Sequence, residues 1–385
     1  MLATPARMTR RLVAVDMPGG PAFVDTVAGL WDAGDACFVL DRRYPTVLAE
    51  QVLDVVSPAA VLDADGEEHE RSGSRPVEDG DALVVATGGS TGAPRGVVLT
   101  HDAVAASAAI TSRRLSVTDD DHWLACLPLA HIGGLSVVTR AMLTGTALTV
   151  LDGFDPDAVM ASGATLVSLV PTALKRVDPT AFRAIVLGGS APPVELPGNA
   201  VVTYGMTETA SGIVYDGVPL DDVDVRLADD GEIMVAGPTL LRAYRDGRQA
   251  LVDGWFATDD LGSWDSDGRL VVHGRRGDLI ITGGENVWPD AVEAALRSHP
   301  LVADAGVAGR PDPEWGAVVT AFVVPSGAIP TLDQLREHVK LVLPAYAAPR
   351  SLHIVGALAR TPLGKLRRDQ LATPTERTPA PPSIT

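Results

Sequence analysis

Between about residues 114 and 204 the chain alternates short Val/Leu-rich runs with helix-like segments. The runs include 147 to 151, 165 to 170, 184 to 187 and 200 to 203. They are apolar without a polar alternation, so both faces of the strands they predict must be buried. That pattern fits a mostly parallel sheet covered by helices on both sides, an α/β class. Residues 216 to 273 change character: short β-like runs separated by Asp/Gly turns predict a small all-β element. After Gly274, a helix opening near Pro289, strands at about 301 to 308 and 317 to 324, and a Thr331/Gln334 capping-box spacing predict a small α+β domain.

Composition narrows the function. With 385 residues, 46% hydrophobic and 21% charged, the chain is globular and long enough for two or three domains. A net charge of -18 argues against a nucleic-acid binder, which must neutralise phosphates with Lys and Arg. Cys37 and Cys126 stand alone, so no disulfide framework or structural zinc site is expected. The amino-terminal apolar stretch is cut by Asp16, too short for a signal peptide, and no run reaches the length of a membrane span. A cytoplasmic enzyme is the expectation. Residues 62 to 81 read as a polar surface loop, and the Pro/Thr-rich tail 373 to 385 as disordered.

The stretch Thr87, Gly88, Gly89, Ser90, Thr91, Gly92, Ala93, Pro94, Arg95, Gly96 lies between two strand-like runs, 82 to 86 and 97 to 99, and a helix capped by Thr100 follows. Its glycines let the backbone approach a phosphate, its hydroxyls donate, and Arg95 supplies a matching charge. It is not a Walker A loop, which would end in Lys-Ser/Thr and enter a helix directly. Taken alone, such a stretch reads equally well as a surface turn.

Six further segments, in order, change that balance. They are Pro-Leu-Ala-His-Ile-Gly-Gly at 128 to 134, Gly188-Gly189-Ser190, Tyr-Gly-Met-Thr-Glu-Thr at 204 to 209, Thr-Asp-Asp-Leu-Gly at 258 to 262, the stretch 274 to 289 opening Gly-Arg-Arg-Gly-Asp, and Pro-Leu-Gly-Lys at 362 to 365. Together with the Gly-rich loop they resemble the AMP-forming acyl-CoA synthetase, luciferase and adenylation-domain superfamily, over about residues 80 to 370. Gly88, Ser90 and Arg95 depart from that superfamily's usual Ser, Thr and Lys.

The resemblance implies a large AMP-binding domain (1 to 277), a hinge at Asp278, and a small mobile carboxy-terminal domain (278 to 372). It implies ATP or AMP contacts from Thr87, Gly88, Gly89, Ser90, Thr91, Gly92, Arg95, Gly188, Gly189, Ser190, Tyr204, Gly205, Met206 and Thr207, with Asp260 and Arg275 on the ribose side. Glu208 would hold Mg²⁺. Lys365 would stabilise charge between the carboxylate and the α-phosphate. His131, with Gly133 and Gly134, would border the acyl pocket and the thiol path. Singly, Glu208 or Asp260 would read as a solvated acid, His131 as a core histidine and Lys365 as a surface lysine.

Within the superfamily the chain resembles the o-succinylbenzoate–CoA ligases of menaquinone biosynthesis, with ATP, coenzyme A and that acid as reaction partners. The features that carry this are compactness, Leu127 with the 128 to 134 segment, and Ser-Gly-Ile-Val-Tyr-Asp-Gly-Val-Pro-Leu at 211 to 220. The short amino-terminal part leaves open what walls the acid pocket, and whether a homodimer partner helps. Arg113, Arg114 and Arg140 are unranked candidates for the acid's second carboxylate. A fatty-acyl or other aryl-acid CoA ligase is the alternative, and a non-catalytic AMP-binding protein the non-enzyme one. Both Glu208 and Lys365 being present speaks against the latter.

Overall fold

The run Leu12–Val15 is wholly inaccessible to solvent, which explains the short apolar stretch before Asp16: it is a strand inside a sheet. The computed structural model describes residues 10–88, 94–189, 192, 195–360 and 366–371. Among these the chain forms four sheets and divides into two compact units. One comprises the residues up to 258 with 262–272, the other 259–261 with 273 onward.

In the larger unit, the first sheet orders its strands Ala243–Tyr244, Pro94–Thr100, Asp81–Gly88, Ala36–Val39, Leu12–Val15, Ala60–Leu62 and Glu68–Glu70. Its middle is parallel and its flanks antiparallel. Glu68–Glu70 corrects the reading of residues 62 to 81 as loop. The strand is Glu-His-Glu, exposed throughout, at the end of the sheet, where charged residues discourage further pairing and also hide the strand from an apolar pattern.

The second sheet runs Val218–Pro219, Ser211–Tyr215, Ala200–Met206, Ala184–Leu187, Leu166–Leu169, His122–Ala125 and Ala147–Val150. The last five are mutually parallel, as their apolar runs require. Helices His101–Arg114 and Ile132–Thr144 pack against each other within this unit. The first starts where the Thr100 hydroxyl accepts from the Ala103 amide at 3.1 Å, a cap worth about 1 kcal/mol. One apolar cluster runs from Val15 and Phe23 through Trp123 and Leu135 to Tyr215 and Ile233. Burial of each large side chain contributes roughly 1.5–3 kcal/mol. The third sheet contains Asp224–Leu227, Glu232–Ala236, Trp255–Trp264 and Leu251–Val252, with Leu270–Arg275 paired to Trp255–Trp264.

The smaller unit pairs the long antiparallel strands Val302–Asp312 and Gly316–Pro325, with Ile280–Thr282, Glu285–Val287 and Ser351–Ile354 beside them. Helix Pro289–Arg297 begins at the proline, and helix Leu332–Lys340 carries both halves of the Thr331/Gln334 capping box. No helix among the described residues is long and apolar enough to cross a membrane.

Candidate nucleotide and acyl site

Strands Asp81–Gly88 and Pro94–Thr100 pair antiparallel, with Thr87 opposite Arg95 and Gly88 opposite Pro94. Their buried stretches, residues 82–85 and 97–99, anchor both arms of the hairpin in the core. The hairpin thus brings Thr87, Gly88 and Arg95 to one end of the first sheet; Gly89, Ser90, Thr91 and Gly92 lie outside the described residues. The Arg95 guanidinium sits 5.9 Å from the centre of the Tyr244 ring. The Tyr244 hydroxyl donates to Glu208 Oε1 at 3.2 Å. Burial, together with the charge of Glu208, pushes the Tyr244 phenol up to about 12, so it stays a donor. An Arg95–Tyr244–Glu208 chain therefore joins the strand Pro94–Thr100 to the carboxylate expected to hold the metal. Tyr244 went unnoticed in the sequence because it sits in a two-residue strand among polar turns.

Glu208 is further fixed by its carbonyl, which accepts from the Leu241 amide at 2.8 Å. It lies in a short 3₁₀ turn, Thr207–Thr209, that follows strand Ala200–Met206. The Thr209 hydroxyl accepts from the Met206 amide at 2.9 Å and holds that turn closed. At Gly205 a Cβ would run into the carbonyl oxygen of Ser211 on the paired strand, so only glycine allows this approach. Gly205→Ala is expected to destabilise the protein by about 1–3 kcal/mol through overpacking, read as a lowered Tm in thermal unfolding. Gly188 and Gly189 follow strand Ala184–Leu187, which runs parallel to Ala200–Met206. Both segments thus leave carboxyl ends of adjacent parallel strands, the edge where open α/β sheets bind ligands. The Thr203 hydroxyl ties them by donating to the Leu187 carbonyl at 3.3 Å. Ser190 lies outside the described residues.

His131 stands at the head of helix Ile132–Thr144, followed by Gly133 and Gly134. A Cβ on Gly134 would meet the carbonyl oxygens of Leu127 and Pro128, both at 2.5 Å, so the helix starts tight against the preceding turn. Further along, Arg140 is 1% exposed, with its guanidinium 4.8 Å from the Trp123 ring and Nη2 donating to Ser211 Oγ at 3.4 Å. Its Nε and Nη1 have no hydrogen-bond partner among the described residues. Of the other two arginine candidates, exposed Arg113 pairs with Asp222 at 3.1 Å and Arg114 lies exposed at the end of its helix. The sequence held no signal for Asp41 or Arg43, yet both reach His131. Asp41 Oδ2 is 3.4 Å and Arg43 Nη2 3.3 Å from its Nε2. Although burial acts to raise it, the Asp41 carboxyl is held below the usual range by hydrogen bonds from Arg43 and His131.

In the smaller unit Arg275 Nε lies 2.9 Å from Asp260 Oδ1. Arg368 binds Asp278 at 3.0 Å, Glu293 at 3.0 Å, and Asp290. Leu366 and Leu371 are buried with Phe322, which anchors the chain just after Lys365; Lys365 itself lies outside the described residues. Burial pushes the Cys37 and Cys126 thiols up to about 12, so neither supplies a thiolate.

No cluster of three or more His, Cys, Asp or Glu suited to a metal occurs among the described residues. Mg²⁺ does not require one. It is commonly held by one or two carboxylates plus substrate phosphates, and the Glu208 carboxylate, linked through Tyr244 to Arg95, suits that role.

Known proteins resemble this chain in sequence and fold. The family model "AMP-binding enzyme" matches residues 65–245, and "AMP-binding enzyme C-terminal domain" matches 291–365. A protein named "Probable 2-succinylbenzoate–CoA ligase" from Mycobacterium tuberculosis is 42% identical, over 77% of this chain and 85% of its own length. The 2-succinylbenzoate–CoA ligase of Bacillus anthracis is 35% identical, over 89% of this chain and 80% of its own. The o-succinylbenzoate CoA synthetase of Bacillus subtilis, solved with its acyl-adenylate intermediate, superposes with a TM-score of 0.85 at 30% identity, over 94% of this chain and 88% of that one. The same enzyme solved with ATP and magnesium ion gives 0.83 at 29% identity. The chain belongs to the AMP-binding enzyme family, in the company of the 2-succinylbenzoate–CoA ligases.

Proposed function

We propose that the chain is an ATP-dependent, AMP-forming ligase that joins 2-succinylbenzoate to coenzyme A through an acyl-adenylate. The observation that carries the reading is the Arg95–Tyr244–Glu208 chain, in a protein whose relatives bear that activity in their names.

In the first half-reaction a carboxylate oxygen attacks the α-phosphorus of ATP and pyrophosphate leaves. In the second, the coenzyme A sulfur attacks the acyl carbon and AMP leaves. The obstacle to the first is the meeting of two anions. Arg95 brings positive charge to the phosphates, and Lys365 supplies charge at the reacting oxygens. Mg²⁺, held by Glu208, neutralises phosphate charge when bound. Tyr244 keeps the Glu208 carboxylate aimed. Asp260 accepts from the ribose hydroxyls, with Arg275 holding that carboxylate. Arg140 receives the acid's second carboxylate on its unpartnered Nε and Nη1. The smaller unit turns about Asp278 between the half-reactions, withdrawing Lys365 for thiol entry.

The decisive test is product analysis by mass spectrometry, with ATP, Mg²⁺, coenzyme A and a panel of 2-succinylbenzoate, benzoates and fatty acids. 2-Succinylbenzoyl-CoA and AMP are the expected products. Another dominant acyl-CoA would keep the ligase and replace the acid; absence of AMP with every acid would overturn the activity. Glu208→Gln is expected to lower adenylate formation by about 10²-fold and to shift its Mg²⁺ dependence to higher concentration, measured by pyrophosphate release. An unchanged Mg²⁺ curve would remove Glu208 from the metal site.

A further inference from the structure

The Asp41–Arg43–His131 cluster has an unusual electrostatic layout. One imidazole nitrogen, His131 Nε2, faces both a carboxylate oxygen at 3.4 Å and a guanidinium nitrogen at 3.3 Å. A protonated Nε2 can donate only to Asp41, and an unprotonated one can accept only from Arg43. The two partners are locked to each other. Arg43 donates to Asp41 from Nε at 2.8 Å, from Nη2 at 2.6 Å and from its backbone amide at 3.1 Å. Asp41 is 5% exposed and follows the buried strand Ala36–Val39, so the carboxylate has a rigid base. Both residues also line a cavity of about 780 Å³ with Arg42, Tyr44, Arg71 and Asp152.

We propose that Asp41 and Arg43 are positioning residues that hold His131 in one orientation whether or not Nε2 carries a proton. The pair would preserve the imidazole's place at the helix head through both half-reactions, which need that wall first for the acid and then for the thiol. This rests on the ligase reading and deepens it. It also gives the amino-terminal segment a direct part in the acyl site.

The test is a double-mutant cycle on both half-reactions with 2-succinylbenzoate. Asp41→Asn is expected to lower kcat by about tenfold while leaving KM for ATP within about twofold, and to have no further effect in a His131→Ala background. Equal losses in both backgrounds, a wild-type rate for Asp41→Asn, or a wild-type rate for His131→Ala would each overturn the proposal. Should Asp41→Asn fail to fold, Arg43→Gln, at a 43% exposed side chain, enters the same cycle with the same criteria. The wild-type protein is assayed first. Failure to make acyl-CoA there would refute the ligase reading itself, whereas an active wild type with an additive cycle refutes only the positioning role.

Discussion

Lys365→Ala is expected to lower acyl-adenylate formation by about 10²- to 10³-fold, the cost typical of removing a charge aimed at developing negative charge. Thioester formation from supplied acyl-adenylate should change by less than about tenfold, because pyrophosphate has already left and the smaller unit has turned in the proposed cycle. Single-turnover pyrophosphate release measures the first step, and coenzyme A consumption with added adenylate measures the second. Equal losses in both would sink the assignment. The described residues that follow Lys365 are firmly held. Leu366 and Leu371 are buried, and Arg368 between them is held by Asp278, Glu293 and Asp290. The lysine's carboxy-terminal neighbours are thus tied to the residue proposed as hinge, and a turn at that residue would carry them with it.

The second large effect is expected at Arg140. A buried guanidinium with two unpartnered nitrogens is costly, because each lost hydrogen bond to water goes uncompensated. Burial pushes its pKa down, the direction expected for a cation taken out of water. A carboxylate arriving with the substrate would supply the missing acceptors. Arg140→Met should therefore raise KM for 2-succinylbenzoate by about 10²-fold, equivalent to about 2.7 kcal/mol, and leave KM for ATP unchanged. The same variant should keep or raise the Tm, since an apolar side chain of similar length removes a buried charge next to Trp123. Steady-state kinetics and thermal unfolding check both halves. An unchanged KM for the acid would exclude Arg140 from the substrate pocket; a lowered Tm with unchanged KM would make it a purely structural cation.

The sequence by itself determined much of the framework. Apolar runs such as 165 to 170 and 184 to 187 became inner parallel strands, because no regular polar alternation along them offers a face to water. Thr100, Pro289 and the Thr331/Gln334 pair fixed helix starts through local backbone hydrogen bonding, which needs only near neighbours. The ordered motifs pointed to the adenylate-forming superfamily for the same reason: each is a short, local device. Glu68–Glu70 escaped because pairing at a sheet's end places no apolar demand on its residues. What only the tertiary structure decided are the long-range meetings. Tyr244 reaches Glu208 across 36 positions, and Arg43 reaches His131 across 88. That Arg140 is buried while Arg113 and Arg114 are exposed emerged only from the fold, because desolvation belongs to the folded surroundings and leaves no mark in the order of residues.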